Sequence, residues 1–292
     1  MIVVTTPTGD IGRQLIDRLL AAGEAVRVIV RDPARLPEHV RAGAEVVQGS
    51  HGDADTIAKA LDGADRMFWL VPPANFHDAG DARHYYLEFT RHAAHEAARR
   101  DVLMVGVTSL GKGYAGEAGL LTAALEMDAM IESGGVAYRA LALPFFMENL
   151  LRQAPAIKQG TIAMANDADR PLLTVATQDV AKAAAVLLLD ASWSGRARVP
   201  VVSPDALTPA AMAEIVSKTL GSTVDYRQVA LADFQSMMVQ RGASPALAKD
   251  MADMVHAQND GIYDAEPREG GFATETGFRQ WCRDVLKPAL TA

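Results

Sequence analysis

The apolar positions along this chain switch between two periods. Residues 2–5 read Ile-Val-Val-Thr, a β-rich run too short for a helix and bounded by Pro7, Gly9 and Gly12. From Asp10 the spacing changes, and Ile11, Leu15, Ile16, Leu19 and Leu20 fall on one face of a helix that stops at Gly23. Residues 25–30 predict a second strand ending at Arg31. The alternation continues with strands at 44–47, 67–71, 102–107 and 136–143, and helices near 53–61, 81–100 and 120–132. Strands of this kind, separated by helices, predict a parallel sheet covered on both faces.

The second half is less regular. Residues 144–153 predict a short helix leaving the sheet, 178–190 a strongly apolar helix, and 198–202 one more strand. Thr208 is a good N-cap for a helix over 209–220, with Pro209 at its first position and Gly221 just past its end. Beyond lie a strand at 223–229, helices at 231–240 and 246–259, a glycine-rich loop at 260–271 and a final helix to Leu290.

The turn after the first strand, Thr6-Pro7-Thr8-Gly9-Asp10-Ile11-Gly12, has the spacing G-x-x-G-x-x-G with threonine in place of the first glycine. It follows a strand and opens a helix, the context a dinucleotide turn requires. Gly9 lets the backbone approach a pyrophosphate, Gly12 lets the helix lie close to the sheet, and free N–H groups at the helix start face the phosphates. Thr6, Thr8, Gly9, Asp10, Ile11 and Gly12 are therefore the candidate phosphate contacts. Arg31 stands 19 positions after Gly12 at a strand end, where an arginine suits a 2′-phosphate and an acid would hold a ribose 2′-OH. Asp32 follows it. NADPH is the expected cofactor, with NADH possible. Arg31, Ser50, Val71, Pro72, Thr108 and Ser109, all at strand ends, are expected to converge on one crevice at the carboxyl edge of the sheet.

These patterns predict an α/β fold: a doubly wound parallel (Rossmann) sheet with a smaller C-terminal α/β substrate lobe. Residues 1–143, with about 171–202, form the NAD(P)-binding domain; residues 144–170 and 203–292 form the lobe. With 292 residues and 49% hydrophobic content the chain can bury a large core. A net charge of −8 without a basic run gives nucleic-acid binding no electrostatic support. Cys282 is the one cysteine, so no internal disulfide forms. No apolar stretch reaches the roughly 18 residues of a membrane span, and a strand at the very start leaves no room for a signal peptide. The expectation is a cytoplasmic protein acting on a small molecule, with its oligomeric state left open.

Read beside the opening turn, Phe146-Met147-Glu148-Asn149 and Asp179-Val180-Ala181 make the chain resemble the NmrA-like group of atypical short-chain dehydrogenases/reductases, which carry an F-x-E-N-type segment after the sixth strand and a D-[IV]-A element opening a helix. The resemblance implies a nucleotide-binding fold over nearly the whole chain. Departures from the wider superfamily bear on the reaction. The Y-x-x-x-K pair common on the fifth helix is missing, since residues 120–135 contain neither tyrosine nor lysine. The lysine frequent on that helix falls near Ala123, the arginine usual after the sixth strand is Ala142, and the acid expected after the third strand is Ser50.

The resemblance sets Ser109 near the nicotinamide. Ser109, Tyr114 in the loop 111–116 and His77 after Pro72-Pro73 are the candidate catalytic groups, with the glycine-rich loop read as a mobile lid. Phe76, His77, Tyr114, Phe145, Phe146 and Asn149 are the candidate substrate contacts, an aromatic-binding wall at the mouth of the crevice. His92, His95 and Glu96 share a helix, but their order matches no zinc motif and arginines surround them, so no metal is expected. Two functions remain open: NAD(P)H-dependent reduction of a quinone or related aromatic carbonyl, a chemistry some relatives use in tailoring aromatic polyketides, or non-catalytic NADP(H) sensing through a protein partner.

Overall fold

The computed structural model describes residues 1–72, 80–190 and 192–291. Six strands alternate with helices through the first half: β1 (Ile2–Val4), α1 (Asp10–Ala21), β2 (Val26–Val30), α2 (Glu38–Gly43), β3 (Glu45–Gln48), α3 (Ala54–Ala60), β4 (Arg66–Trp69), α4 (Ala82–Arg99), β5 (Leu103–Ser109), α5 (Leu120–Ser133) and β6 (Tyr138–Leu143). The second half supplies β7 (Phe145–Phe146), α6 (Ala154–Lys158), β8 (Thr161–Met164), β9 (Leu172–Val175), α7 (Thr177–Leu189), β10 (Arg196–Val202) and β11 (Ala206–Leu207). It ends with α8 (Pro209–Leu220), β12 (Asp225–Gln228), α9 (Leu231–Gln240), α10 (Pro245–Asp260), β13 (Phe272–Ala273), α11 (Phe278–Trp281) and α12 (Lys287–Thr291).

Eight of these strands build one sheet in the order β13-β10-β6-β5-β4-β1-β2-β3, and every adjacent pair is parallel. The order reverses at β1, which has β4 on one side and β2 on the other. That reversal opens a crevice at the carboxyl ends of the strands. Successive residues of β1 serve opposite faces. Ile2 and Val4 pack with Leu15, Leu19, Val180 and Ala184 of α1 and α7. Val3 packs with Ile57, Ala93, Met127 and Ile131 of α3, α4 and α5. Burial on both faces explains why the strands read as apolar runs with little alternation.

Outside that sheet lie a three-stranded sheet, β11-β9-β7, and the parallel pair β12-β8. A separate core cluster gathers Met147, Leu150, Ile162, Val216, Phe278, Trp281 and Leu286. The helix expected over 144–153 is only partly one. Phe145 and Phe146 are extended and pair with Thr174 and Val175, and the chain coils as a 3₁₀ helix only from Met147. Strand pairing there satisfies the backbone that helix formation next to Pro144 would leave open. Strands of two to four residues at 161–164, 172–175, 206–207 and 272–273 had no counterpart in the sequence reading, because so few residues show no period. The caps of α8 agree with it: Thr208 Oγ1 accepts the Ala211 N–H at 3.1 Å and Gly221 closes the helix at φ +75°. No described helix is long and apolar enough to cross a membrane.

Gly106, in the middle of β5, has a packing reason. A Cβ there would stand 2.5 Å from the hydroxyl of Tyr138, which lies across β5 and donates to Asp128 Oδ1 at 2.7 Å. Gly106→Ala should push Tyr138 off its buried acceptor and cost about 1–3 kcal/mol. Urea unfolding checks this; an unchanged midpoint would show that the ring moves aside freely.

Candidate functional site

The turn after β1 is shaped by one close approach. A Cβ on Gly12 would sit 2.1 Å from the Thr6 carbonyl oxygen, so only glycine lets α1 begin this near the strand. Thr6 pays for that geometry with φ +50°, a left-handed conformation, and its buried Oγ1 has no partner. A Cβ on Gly9 would touch only the same carbonyl, at 3.4 Å, and otherwise face open space. No side chain caps α1, and Arg13 N–H is its first to reach back, to Gly9 O at 3.0 Å. The N–H groups of Asp10, Ile11 and Gly12 thus have no acceptor among the described residues, while the Asp10 carboxylate is turned to Arg13 at 2.8 Å. Thr8 is half-buried beside them. Open space in front of free N–H groups at a helix start fits a pyrophosphate.

The end of β2 carries Arg31, exposed, with its carbonyl held by Gln48 Nε2 at 3.3 Å. Asp32 is occupied elsewhere: its Oδ1 accepts the Ala34 N–H at 3.0 Å and caps the 3₁₀ turn Pro33–Arg35. The acid that would read a ribose 2′-OH is thereby engaged, and the arginine suited to a 2′-phosphate is left exposed. Ser50 Oγ accepts the Gly52 N–H at 3.2 Å. Beside it lies a residue the sequence reading passed over. His51 is buried, edge-on to Trp69 and Phe89 at centroid distances of 5.3 and 4.7 Å, with Nε2 3.1 Å from Leu70 O. Burial lowers its pKa to about 4, only partly offset by the Leu70 carbonyl and helped by the Arg31 charge, so the ring is neutral at pH 7. A histidine after Gly-Ser carries no sequence signal that would have marked it.

Across β1, the ends of β4, β5 and β6 form the other half of the crevice. Val71 is buried, and the Pro72 carbonyl accepts the Tyr85 hydroxyl at 3.2 Å. Thr108 Oγ1 donates to Ala124 O at 3.3 Å and Ser109 Oγ to Leu110 O at 2.7 Å; both side chains are buried. The loop 111–116, expected as a mobile lid, is tied to the segment 260–266 at three points. Glu266 Oε2 accepts the N–H groups of Gly111 and Lys112 at 2.8 and 2.9 Å, and Tyr114 donates its hydroxyl to Asp260 Oδ2 at 2.8 Å. Burial and the Asp260 carboxylate raise the Tyr114 pKa. Ala123 and Ala142 are fully packed, so no polar group reaches the crevice from either position.

Phe145 and Phe146 part company. Phe145 packs on the lobe core and Phe146 on the sheet core, as neighbours along a strand must. Asn149 is half-buried in the 3₁₀ turn. Phe76 and His77 lie outside the described residues. Glu148 is a joint between elements: its Oε1 accepts the Thr177 N–H (3.0 Å), the Thr177 hydroxyl (2.8 Å) and Trp281 Nε1 (3.2 Å). Its Oε2 is buried without a partner, and burial raises its pKa. Glu96 is held by Arg99 and Arg100, as on a solvated face. Open hollows of about 350 Å³ (Gly135–Ala137, Gly195, Arg196) and about 520 Å³ (Asp167–Pro171, Gln228) lie away from these strand ends.

A model of the NmrA-like family matches residues 1–281. The chain belongs to the NmrA-like family. This NmrA-like chain is 26% identical to quinone oxidoreductase 2 of Escherichia coli (strain K12) over 267 residues, 90% of each protein. It is 30% identical over 230 residues to (4-alkanoyl-5-oxo-2,5-dihydrofuran-3-yl)methyl phosphate reductase of Streptomyces griseus, covering 78% of this chain and 77% of that one. Among solved structures, the E. coli NADPH-dependent quinone oxidoreductase in complex with NADPH superposes with a TM-score of 0.74 at 25% identity, covering 92% of both chains.

Glu148 makes a testable pH signature for the NmrA-like signature segment. A carboxyl whose folded pKa is raised costs the fold nothing below the ordinary glutamate value of about 4.3 and destabilises it increasingly as pH rises through the raised pKa. Glu148→Gln keeps the Oε1 acceptor and removes the charge. Its melting temperature relative to wild type should therefore climb between pH 4 and pH 8, by calorimetry; a pH-independent difference would show that Glu148 ionises without penalty.

Proposed function

We propose that this chain is an NADPH-dependent oxidoreductase that reduces a quinone or a related conjugated carbonyl compound. The observation that carries the reading is a pairing. An open, uncapped phosphate turn with an exposed arginine at the β2 end stands across β1 from strand ends whose hydroxyls are already committed. The relatives' names point the same way: a quinone and an acylated dihydrofuranone are both electron-poor conjugated carbonyl systems, and the protein solved with NADPH is a quinone oxidoreductase.

Residues 1–143 with 171–202 form the cofactor domain in this reading, and residues 144–170 and 203–292 the lobe that covers the acceptor. The N–H groups of Asp10, Ile11 and Gly12 hold the pyrophosphate, and Gly9 leaves room for it. Arg31 pairs with the 2′-phosphate. NADPH, when bound, supplies a hydride. The proton is handled differently from the superfamily's tyrosine–lysine scheme. The Ser109 hydroxyl donates its hydrogen bond to Leu110 O, and the Tyr114 hydroxyl donates to Asp260 Oδ2. An acceptor whose reduced form is a stabilised anion, such as a hydroquinone anion, needs no positioned acid and takes its proton from water. Placement of the acceptor then carries the rate.

Arg31→Ala should weaken NADPH by about tenfold or more and leave NADH little changed, because only NADPH carries the phosphate that the guanidinium grips. Calorimetric titration with both cofactors decides it, and equal losses would remove Arg31 from the 2′-phosphate site.

Wild-type protein should oxidise NADPH in the presence of benzo-, naphtho- or anthraquinones, the last standing for polycyclic aromatic polyketides. Tyr114→Phe should keep kcat well short of the roughly 10²–10⁴-fold loss that follows removal of a general acid. A full loss with unchanged cofactor affinity would make Tyr114 the donor. Tight NADPH binding with no acceptor reduced would favour a sensing protein.

A further inference from the structure

Three charged side chains from distant parts of the chain meet beneath the end of β5. Arg198 of β10, Asp128 of α5 and Glu266, just before β13, have side chains only 12%, 3% and 8% exposed. Arg198 Nη1 donates to Asp128 Oδ2; Nε donates to Glu266 Oε1 at 2.5 Å and Nη2 to Glu266 Oε2 at 3.0 Å. Tyr138 adds its hydroxyl to Asp128 Oδ1 at 2.7 Å. Burial pushes Glu266 up, but the Arg198 bonds and the Lys112 N–H outweigh it and hold the carboxyl below its usual range.

What the cluster does with its remaining bonds sets it apart from a simple buried ion pair. Arg198 Nη2 also donates to Ser109 O at 2.7 Å, and Glu266 Oε2 accepts both the Gly111 and Lys112 N–H groups. Three backbone groups in four consecutive residues are thus fixed by two side chains far away in sequence. Gly111 (φ +117°) is pressed close enough to Ile262 that a Cβ would stand 2.4 Å from its Cγ1. Ser109 ends β5 and the other three residues follow it, on the opposite side of β1 from Arg31. A dinucleotide whose 2′-phosphate sits at Arg31 must extend across β1 and lay its other half over the ends of β4 and β5.

We infer that the Asp128–Arg198–Glu266 cluster is a positioning device that sets the backbone of residues 109–112 for the nicotinamide half of NADPH. The inference rests on the cofactor reading above. Buried ion clusters add little net stability and are often replaced by apolar groups without loss, whereas removing one partner strands a buried charge. A role in shaping the site is what distinguishes this cluster from one that merely holds the fold.

The test separates the two halves of the cofactor. Dissociation constants for NADPH and for adenosine 2′,5′-bisphosphate, which lacks the nicotinamide half, are measured by calorimetry on wild type, on Glu266→Gln and on the triple variant Asp128→Asn/Arg198→Met/Glu266→Gln. Glu266→Gln leaves the Arg198–Asp128 pair intact, and the triple variant removes every charge of the cluster while keeping an acceptor for Tyr138, so neither strands a buried charge. In whichever variant melts as wild type does, NADPH should weaken by about tenfold while the bisphosphate holds, since one well-aligned hydrogen bond contributes on that order. Where an acceptor is turned over, kcat should fall with it. Equal losses for both ligands, or no loss for either, would overturn the inference and leave the cofactor reading intact. A wild type that binds NADPH no tighter than the bisphosphate would also overturn it, and a wild type that binds neither would remove the cofactor reading itself.

Discussion

The buried guanidinium of Arg198 ties together parts of the chain that lie far apart in sequence. It reaches from β10 to α5 through Asp128, to the segment before β13 through Glu266, and to the end of β5 through the Ser109 carbonyl. Because two carboxylates and a carbonyl surround it, the charge is compensated where water is excluded, and the geometry is fixed by the planar fork of donors. A lysine would offer a point charge with no such directions. The same bonds convert the glycine-rich stretch after β5 from a loose connection into a shaped edge of the crevice, against which residues 260–266 lie as a clamp.

The crevice is built from opposite kinds of constraint on its two sides. At the turn after β1 the chain keeps donors free: α1 starts without a cap, and Gly12 is bare so that the helix can begin against the Thr6 carbonyl. Thr6 tolerates a left-handed backbone to permit this, a strain of about 1–2 kcal/mol that a glycine would not bear. At the ends of β5 and β6 the chain does the reverse and commits its polar groups inward, with Thr108 and Ser109 bonded to backbone and Ala123 and Ala142 packed flat. One side is ready to receive charge, and the other offers shape. That division suits a reaction in which the cofactor brings the chemistry and the protein contributes orientation.

The sequence by itself determined the repeating framework and the glycine turn after β1. Hydrophobic runs in β1, β2, β4, β5 and β6 announce buried parallel strands because both faces are covered, and the Gly9–Gly12 spacing is local, so each can be read within a dozen residues. Family membership was legible in the same way, from the turn and the Phe146–Asn149 segment. Tertiary structure alone decided the rest of the site. Arg198 meets partners 68 and 70 residues away, His51 becomes a neutral wedge only when Trp69 and Phe89 close on it, and Tyr114 loses its freedom only when Asp260 arrives. Phe145 and Phe146 read as one aromatic wall until β7 turned them to opposite cores. Local periodicity records which face of an element is buried, but carries no information on which distant charge will be brought there, since that pairing is fixed by the path of the chain through the sheet.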